Sequence, residues 1–288
     1  MPGSFADLHI HSTASDGLLT PSEVVGLALA QGLSAIALTD HDTLAGVVEA
    51  QAAARGTQLD VIAGVEISSE GSWGDLHFLG FYVDADNAFL AERLRAMQEG
   101  RLSRARQMVQ RLSRLGMPLQ WEEVETLAAG QSVGRPHIAR ALRNRGYVSS
   151  VQEAFDRYID HGGPAYVPRP RLTPDEVIAA IHRAGGVAVL AHPAHSNAIR
   201  YVPDFASCGL QGLEVYYPTH SPEDQHSLLD LCQRYNLLVT GGSDFHGPGH
   251  AEGAELGAVC VPPDCVLRLK QIANQSTGRD TRRTPEGS

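Results

Sequence analysis

Lysine, cysteine and long apolar runs are scarce in this chain of 288 residues. Lys270 is the single lysine, so the other basic side chains are arginines, which suit bidentate recognition of phosphate or carboxylate groups. The four cysteines form no Cys-x-x-Cys pair, and we interpret them as reduced thiols of a cytoplasmic protein. No apolar run reaches the roughly 18 residues of a membrane span, so we expect no membrane association. The first motif begins at Asp7, so we expect no signal peptide.

The charge balance restricts the class of ligand. The formal net charge is -10, so we expect no broad electrostatic contact with duplex DNA. A small anionic substrate remains compatible with this charge, because bound metal ions can reverse the sign of the local potential. The sequence does not point to an obligate protein partner.

Short apolar runs alternate with helical patterns, which is typical of an α/β fold with a mainly parallel sheet. The predicted strands are 6–10, 34–38, 61–67, 76–83, 187–191, 212–216 and 237–240. The segment 87–162 interrupts this rhythm with consecutive helical patterns at 89–115, 121–129, 136–144 and 151–159. We therefore predict a barrel formed by 1–86 and 163–273, with 87–162 as a small helical insertion. The polar stretch 274–288 is predicted to be disordered.

Candidate metal ligands stand at the ends of several predicted strands. His9 and His11 close the first strand, and Asp244 and His246 follow the last one. Because the carboxyl ends of barrel strands lie on one face, where active sites are found, we expect these side chains to converge. The full candidate set is His9, His11, Asp16, His41, Glu66, His77, His192, Asp244 and His246.

The spacing and chemistry of these residues favour a catalytic metal site. In His9-Ile10-His11 the two imidazoles alternate along a strand and point to the same side, so one ion can take both. Imidazole and carboxylate ligands without a thiolate suit Mn, Fe, Zn or Co better than a structural zinc site. A single His-x-His pair is weak on its own, because surface and core histidines are common. Several strand ends that carry such residues together make a stronger pattern.

The order of these motifs resembles the PHP family, named for its polymerase and histidinol-phosphatase members. The motifs are Asp7-Leu8-His9-Ile10-His11, Ser15-Asp16-Gly17, Leu38-Thr39-Asp40-His41-Asp42, Gly64-Val65-Glu66-Ile67, His77, Ala191-His192-Pro193 and Ser243-Asp244-Phe245-His246. Within the family, the chain is most similar to small stand-alone members that dephosphorylate nucleoside 3′,5′-bisphosphates. Some of these also trim short RNA from the 5′ end. The motif Gly134-Arg135-Pro136-His137-Ile138-Ala139 belongs to that resemblance.

The resemblance implies a distorted (β/α)7 barrel with three divalent ions, Mn being the first choice and Fe, Zn or Co the alternatives. Three such ions would outweigh three carboxylates and a bridging hydroxide, so the site would attract a phosphate monoester. The implied ligand sets are His9, His11, Glu66 and Asp244 for one ion, Glu66, His77 and His192 for a second, and Asp16, His41 and His246 for a third.

Asp40 and Arg135 are the predicted catalytic residues. Arg135 would stabilise charge on the phosphoryl oxygens, because Gly134 and Pro136 place it at a helix N-terminus, itself an anion site. Asp40 would carry a proton or hold His41 in place. The helical insertion is predicted to be a lid that binds the rest of a small nucleotide or short RNA. Its candidate substrate-binding residues are Arg101, Arg104, Arg135 and His137, with a solvated helix face as the alternative for Arg101 and Arg104.

Three other functions share some of these features. A histidinol-phosphatase-like or other small phosphomonoesterase would use the same ligands and differ only in its specificity pocket. A TIM-barrel amidohydrolase also opens with His-x-His, but it usually bridges two metals with a carboxylated lysine, and Lys270 lies beyond the last motif. A non-catalytic metal-binding module is disfavoured, because all nine positions carry a competent type of ligand.

Overall fold

The computed structural model describes residues 5–71, 74–128, 133–168, 172–250 and 253–280. The chain divides into two units, of which one is Met1–Leu94 together with Arg171–Ser288 and the other is Arg95–Pro170. All nine candidate metal ligands belong to the first unit. The candidate substrate-binding residues belong to the second.

Seven strands of the first unit form one sheet among the described residues, and they lie side by side in chain order. After the last strand, Phe245 forms a parallel bridge with Ile10, and the His11 amide donates to the Phe245 carbonyl at 2.8 Å. This bridge brings the two edges of the sheet together, so the sheet is a nearly closed barrel, as predicted. The strands are β1 (Ala6–Ile10), β2 (Ala35–Leu38), β3 (Asp60–Gly71), β4 (Gly74–Phe81), β5 (Val187–Leu190), β6 (Gly212–Tyr216) and β7 (Leu238–Gly241).

One strand, β4, runs against its neighbours. It pairs antiparallel with both β3 and β5, whereas the other neighbouring pairs are parallel. The long strand β3 connects the two arrangements, because its residues 60–63 pair with β2 and its residues 64–71 pair with β4. The mainly parallel sheet is therefore confirmed with one exception. That exception puts the start of β4 on the same side of the barrel as the carboxyl ends of the parallel strands.

The barrel strands are buried on both faces, as expected where helices cover a parallel sheet. In β2, Ala35 and Ala37 belong to one apolar cluster, which also contains Leu269 near the C-terminus. Ile36 belongs to a second cluster, together with Val24 of the first helix. The twofold alternation of the strand thus divides its side chains between two cores.

Helices occupy the four predicted segments between 89 and 159 where the structure describes them, and further helices follow the barrel strands. The capping box at the first helix is formed, because Thr20 Oγ1 accepts from the Glu23 amide at 3.2 Å and Glu23 Oε2 accepts from the Thr20 amide at 2.8 Å. No described helix combines the length and apolarity that crossing a membrane requires. All four cysteines are free thiols. The helices are α1 (Pro21–Ala30), α2 (Val47–Ala53), α3 (Ala88–Arg114), α4 (Trp121–Ala128), α5 (Arg135–Asn144), α6 (Val151–Ala154), α7 (Pro174–Arg183), α8 (Val202–Ser207), α9 (Pro222–Tyr235) and α10 (Pro263–Asp280).

The C-terminal helix corrects one prediction. α10 continues to Asp280, so residues 274–280 are helical where the sequence predicted disorder. The helix starts with an apolar face, on which Val266, Leu269 and Ala273 are buried in the barrel cluster. Adding residues to a helix that is already formed costs far less than starting a new one. The rest of the predicted tail, 281–288, lies outside the described residues.

The second unit has an apolar core of its own. Met108 and Leu112 of α3 pack there with Val124 of α4, Leu142 of α5 and Ile159, which ends a π-helical turn after α6. The described part of this unit contains helices and no strand, which is the organisation that the sequence predicts for the insertion.

The boundary of the second unit differs from the predicted 87–162. The first turns of α3 belong to the barrel unit, where Asn87 Nδ2 donates to the Arg183 carbonyl at 3.1 Å. The Arg183 guanidinium also lies over the Phe89 ring, at 3.5 Å from its centroid. These contacts explain why the boundary falls inside a continuous helix, which a helical pattern in the sequence does not mark.

Gly242 lies directly after β7, where the backbone touches β1. A Cβ atom built at this position would lie 2.4 Å from the His9 amide nitrogen and 2.5 Å from His9 Cβ. We therefore expect Gly242→Ala to push the end of β7 away from β1 and to lower the free energy of unfolding by about 1–3 kcal/mol. Denaturant-induced unfolding of the purified variant measures this change.

Gly26→Ala is the matched control. Gly26 lies in α1, and a Cβ atom there would meet no neighbouring atom within 4 Å. Alanine favours a helix over glycine by up to about 1 kcal/mol, so this variant should be as stable as wild type or more stable. Equal unfolding free energies for Gly242→Ala and wild type would contradict the close contact between β1 and β7.

Candidate metal centre

The nine candidate ligands meet at one end of the barrel. His9 and His11 stand at the end of β1, and His41 follows β2. Glu66 lies inside β3 rather than at its end, where a parallel bridge joins it to His41. This is the point at which β2 stops and β3 turns to pair with β4. Glu66 therefore lies level with the ends of the neighbouring strands, even though its own strand continues.

His77 reaches the cluster because β4 is antiparallel. The first half of β4 lies beside the second half of β3, with His77 opposite Ser68. His77 Nδ1 is 2.9 Å from Glu66 Oε1. In a parallel strand, a residue this close to the start would lie at the other end of the barrel.

Glu66 is the centre of the cluster, and its side chain is only 1% exposed. Five imidazoles surround its two oxygens, three of them at Oε2 and two at Oε1. The nitrogen-to-oxygen distances are 3.4 Å to His9, 3.2 Å to His11 and 3.0 Å to His41 on Oε2, and 2.9 Å to His77 and 3.3 Å to His192 on Oε1.

Two further carboxylates complete the set. Asp244 Oδ1 lies 3.2 Å from His9 Nε2 and 3.1 Å from His11 Nε2, on the side of the cluster that Glu66 Oε2 also faces. Asp16 is more exposed, and its Oδ1 is 3.6 Å from His246 Nε2. The carboxylates therefore alternate with imidazoles across the whole cluster.

Two candidate ligands have a strained backbone. His192 has a φ of 31° and Asp244 a φ of 54°, in the left-handed region that residues other than glycine seldom adopt. Strain of this kind costs of order 1–3 kcal/mol and persists where the surroundings hold it. Next to Asp244, the Ser243 amide and hydroxyl both donate to the buried carboxylate of Asp7, at 2.9 and 2.5 Å. These bonds fix the turn that presents Asp244.

The charges in the cluster depend on one another. Burial alone would raise the pKa of Glu66, but the imidazoles around it hold this pKa well below its ordinary value. Burial lowers the pKa of His41 to about 3, against the attraction of Glu66 and Asp16 for a proton. Burial also lowers the pKa of His11, yet Asp244 and Glu66 raise it to about 10. Carboxylates that attract a proton here attract a divalent cation for the same reason.

The unsatisfied atoms of the cluster fit divalent ions. Among the described residues, His9 Nε2, His41 Nδ1 and Glu66 Oε2 are buried and make no hydrogen bond. Leaving such an atom unpaired costs roughly 1–3 kcal/mol, a cost that a bound cation would remove. Three groups offer ligand atoms that all lie within 4.8 Å of one another: His9, His11, Glu66 and Asp244; His11, Asp16, His41 and His246; and His41, Glu66 and His77.

Two of these groups differ from the sets that the resemblance implies. One adds His11 to Asp16, His41 and His246. The other contains His41 beside Glu66 and His77, where the implied set has His192. His192 Nε2 still lies 3.3 Å from Glu66 Oε1, the same oxygen that His77 faces. His41 stands between two groups, because its two ring nitrogens face Glu66 and Asp16.

Comparison with known proteins identifies the family. The model of the PHP domain matches residues 7–167, which is more than half of the chain. The chain belongs to the PHP domain family. The resemblance that the motifs indicated is thereby confirmed.

This PHP-domain protein is similar to named relatives over most of its length. It is 37% identical over 273 residues to the 3′,5′-nucleoside bisphosphate phosphatase of Chromobacterium violaceum, covering 90% of this chain and 93% of that protein. It is 36% identical over 276 residues to the 5′-3′ exoribonuclease Rnm of Escherichia coli, covering 93% and 94%. Among solved structures, a candidate metal-dependent phosphoesterase from Bifidobacterium adolescentis has a TM-score of 0.82 at 35% identity, covering 94% and 97%.

Two of the predicted substrate-binding arginines lie on α3. Arg104 is buried in the second unit, where its Nε donates to the Val167 carbonyl at 2.6 Å and its guanidinium lies over the Tyr166 ring. Arg101 is half-buried one turn earlier. Arg104 therefore ties the end of the second unit to α3, whether or not it also meets a substrate.

Arg135 and His137 lie in the first turn of α5. Arg135 Nη1 donates to Asp160 Oδ1 at 2.9 Å. His137 is buried, and its Nδ1 accepts from the Gly134 amide at 2.9 Å, so it caps the helix. The predicted helix start at Gly134 is confirmed, and both side chains have local partners within the second unit.

Asp40 is buried, and its carboxylate binds the loop that follows β1. Its Oδ1 accepts from the Ser12 amide at 2.7 Å and the Ser15 hydroxyl at 2.6 Å, and its Oδ2 accepts from the Ser12 hydroxyl at 2.8 Å. These bonds go to the loop that carries Asp16, whereas the sequence predicted either proton transfer by Asp40 or a contact with His41. Asp40 thus sets the shape of this loop.

Two residues that contact the cluster were not predicted. Glu214 lies in the buried strand β6, and Tyr217 follows it. The available signal was an acidic residue within an otherwise apolar strand, because carboxylates are seldom fully buried without a partner. Neither residue forms part of a metal-binding motif, so motif reasoning passed over both.

We expect Asp40→Asn to act through the loop rather than through chemistry. The asparagine amide replaces one accepting oxygen by a donor, which weakens the bonds to Ser12 and Ser15 and loosens the loop that carries Asp16. The dissociation constant for Mn should rise by roughly 10-fold, while kcat at saturating Mn stays within about threefold of wild type. Isothermal titration calorimetry and phosphate release measure the two quantities.

Ser15→Ala is the companion variant, because it leaves the Asp40 carboxylate in place. It removes the Ser15 hydroxyl, which lies 2.6 Å from Asp40 Oδ1 and 3.0 Å from Asp16 Oδ1. It should change the Mn affinity in the same direction. A loss of kcat beyond about 100-fold in Asp40→Asn at saturating Mn would contradict the loop role and favour proton transfer by Asp40.

Proposed function

We propose that this protein is a metal-dependent phosphoesterase that hydrolyses the 3′-phosphate of nucleoside 3′,5′-bisphosphates, such as adenosine 3′,5′-bisphosphate. The observation that carries the proposal is the convergence of six imidazoles and two further carboxylates on Glu66. Similarity over nine-tenths of the chain to a 3′,5′-nucleoside bisphosphate phosphatase supports the choice of substrate. Similarity to a 5′-3′ exoribonuclease supports short 5′-phosphorylated RNA as a second substrate.

Three divalent ions are the proposed cofactors, with Mn first and Fe, Zn or Co as alternatives. Such ions would polarise the phosphoryl group of the substrate and would lower the pKa of a bound water molecule. The proposed ligands are His9, His11, Glu66 and Asp244 for one ion, Glu66, His77 and His192 for a second, and Asp16, His41 and His246 for a third.

The charge of the site favours bound cations. The three carboxylates of the candidate set would repel a phosphate dianion if nothing neutralised them. The same carboxylates hold cations close together, and three divalent ions reverse the sign of the site. Buried imidazoles then act as neutral ligands that add no negative charge. This set of residues therefore suits a phosphate substrate in its metal-bound form.

The second unit has the opposite charge from the whole chain. Between residues 95 and 170 there are twelve arginines against seven acidic residues, a formal charge of +5 in a chain of -10. Such a balance suits binding of a polyanion. We propose that Arg101, Arg104, Arg135 and His137 of this unit bind the nucleotide, with Arg135 also acting on the reacting phosphate.

An amidohydrolase bridged by a carboxylated lysine does not fit this chain. Lys270 is the single lysine, and it is exposed on α10. Glu66 instead occupies the central position between the candidate ligand groups. A cytoplasmic location remains part of the proposal, and it rests on the four free thiols.

The first test is phosphate release by Mn-loaded protein from adenosine 3′,5′-bisphosphate, beside 3′-AMP, 5′-AMP, histidinol phosphate and a short 5′-phosphorylated RNA. We expect the bisphosphate to be the best substrate. His9→Ala removes a ligand from the group around Glu66 Oε2, so it should lower kcat/KM by more than about 100-fold. His226→Ala is the matched control, because His226 is an exposed histidine of α9 and should leave the rate unchanged.

Two results would overturn parts of the proposal. Hydrolysis of only another monoester, such as histidinol phosphate, would keep the metal chemistry and refute the substrate. No hydrolysis of any compound by protein with Mn demonstrably bound would favour a non-catalytic metal-binding module.

A second test concerns the nucleotide-binding role of α3. If Arg101 binds the 5′-phosphate, Arg101→Ala should raise KM for adenosine 3′,5′-bisphosphate by about 10-fold, the loss of one charged hydrogen bond. KM for 3′-AMP, which lacks the 5′-phosphate, should change by less than twofold. Steady-state kinetics on both substrates measures the difference. Arg143→Ala, at an exposed arginine of the same unit, should leave both KM values unchanged, and an unchanged KM in Arg101→Ala would favour the solvated helix face.

A further inference from the structure

The strand β6 supplies none of the nine candidate ligands, although it lies between two strands that do. β5 is followed by His192, and β7 is followed by Asp244 and His246. At its carboxyl end β6 carries two polar side chains that are buried, Glu214 and Tyr217. Each of them makes a hydrogen bond to at least one candidate ligand.

Glu214 is fully buried, and both of its oxygens have partners. Its Oε1 accepts from His9 Nδ1 at 2.9 Å, and its Oε2 accepts from the His192 backbone amide at 2.8 Å. A carboxylate can only accept, so His9 must carry its proton on Nδ1. The His9 Nε2 atom then points its lone pair into the cluster, where Asp244 Oδ1 lies 3.2 Å away.

The second bond of Glu214 acts on a different ligand. His192 has the strained φ of 31°, and the bond from its amide to Glu214 holds the backbone in that conformation. One carboxylate therefore orients the ring of His9 and the backbone of His192, which lie on opposite oxygens of Glu66. Because both oxygens of Glu214 already accept hydrogen bonds from other residues, we interpret Glu214 as a residue that positions ligands and not as a tenth ligand.

Tyr217 acts in the same way on Asp244. Its hydroxyl donates to Asp244 Oδ2 at 2.8 Å. This bond occupies Oδ2 and leaves Oδ1 directed at His9 and His11. The ring of Tyr217 also packs against the ring of His192, with centroids 5.2 Å apart.

We propose that Glu214 and Tyr217 are positioning residues that set the metal affinity of the centre by fixing His9, His192 and Asp244. The inference rests on the proposed metal-dependent function. Residues that hold metal ligands in place typically change metal affinity by 10- to 100-fold when they are replaced. Glu214 should have the larger effect, because it holds two ligands, whereas Tyr217 holds one carboxylate oxygen.

Binding of Mn to the metal-free full-length protein tests the proposal by isothermal titration calorimetry, with bound Mn per chain measured after dialysis. Glu214→Gln keeps the shape of the side chain but presents a donor to either His9 Nδ1 or the His192 amide. We expect the dissociation constant of its weakest-bound Mn to be roughly 10- to 100-fold higher than in wild type. Tyr217→Phe removes one hydroxyl, and we expect it to raise the same dissociation constant by about 3- to 10-fold.

The controls separate a positioning role from general damage. Glu223→Gln changes an exposed glutamate of α9 and should leave Mn affinity unchanged. Unfolding of the metal-free variants should match wild type, and activity of Glu214→Gln should recover as Mn is raised to saturation. If Glu214→Gln does not fold, the result for Tyr217→Phe decides the question.

Wild-type affinity and stoichiometry in folded Glu214→Gln and Tyr217→Phe would overturn the inference. A wild-type protein that binds no divalent ion would instead refute the proposed function. These two failures are therefore distinguishable in the same titration.

Discussion

The structure depends on one buried carboxylate, that of Glu66, and on the five imidazoles around it. An isolated carboxylate in this position would cost several kcal/mol, so it must have positive or hydrogen-bonding partners. The barrel supplies these partners from several strands at once. Each strand then has to end, bend or reverse at the point that brings its histidine to Glu66. The length of β3 and the antiparallel direction of β4 meet that requirement for His77.

The sequence predicts the chemistry of the centre better than its geometry. His9 and His11 could be placed together because alternation along a strand is a local property. The convergence of the other ligands followed from a general rule about barrel strands. That rule also placed His77 in the cluster, but His77 lies near the start of its strand and reaches the cluster only because β4 is antiparallel. No local pattern in the sequence shows this reversal. The bonds of Asp40 to Ser12 and Ser15 could not be predicted, because these partners are brought close by the tertiary fold.

Other features could not be predicted because they depend on contacts rather than on patterns. The first unit ends inside α3, where Phe89 stacks on Arg183, while the periodicity of that helix is unbroken. The polar end of α10 remains helical because its start is anchored by buried residues. Glu214 belongs to no ligand motif, and only the structure shows that its two oxygens meet His9 and His192. The motifs predict the residues that would bind a metal, and the fold shows which other residues contact those side chains.

The most direct test is the position of the metals relative to Glu66. A crystal structure of Mn-loaded protein, with anomalous diffraction recorded at the Mn absorption edge, locates the ions independently of any assumed ligand. Separate Mn peaks within coordination distance of Glu66 Oε1 and of Oε2 would show that this carboxylate bridges two ions, as we predict. Peaks that lie outside the cluster, or a Glu66 side chain that contacts no ion, would contradict the central place given to it here.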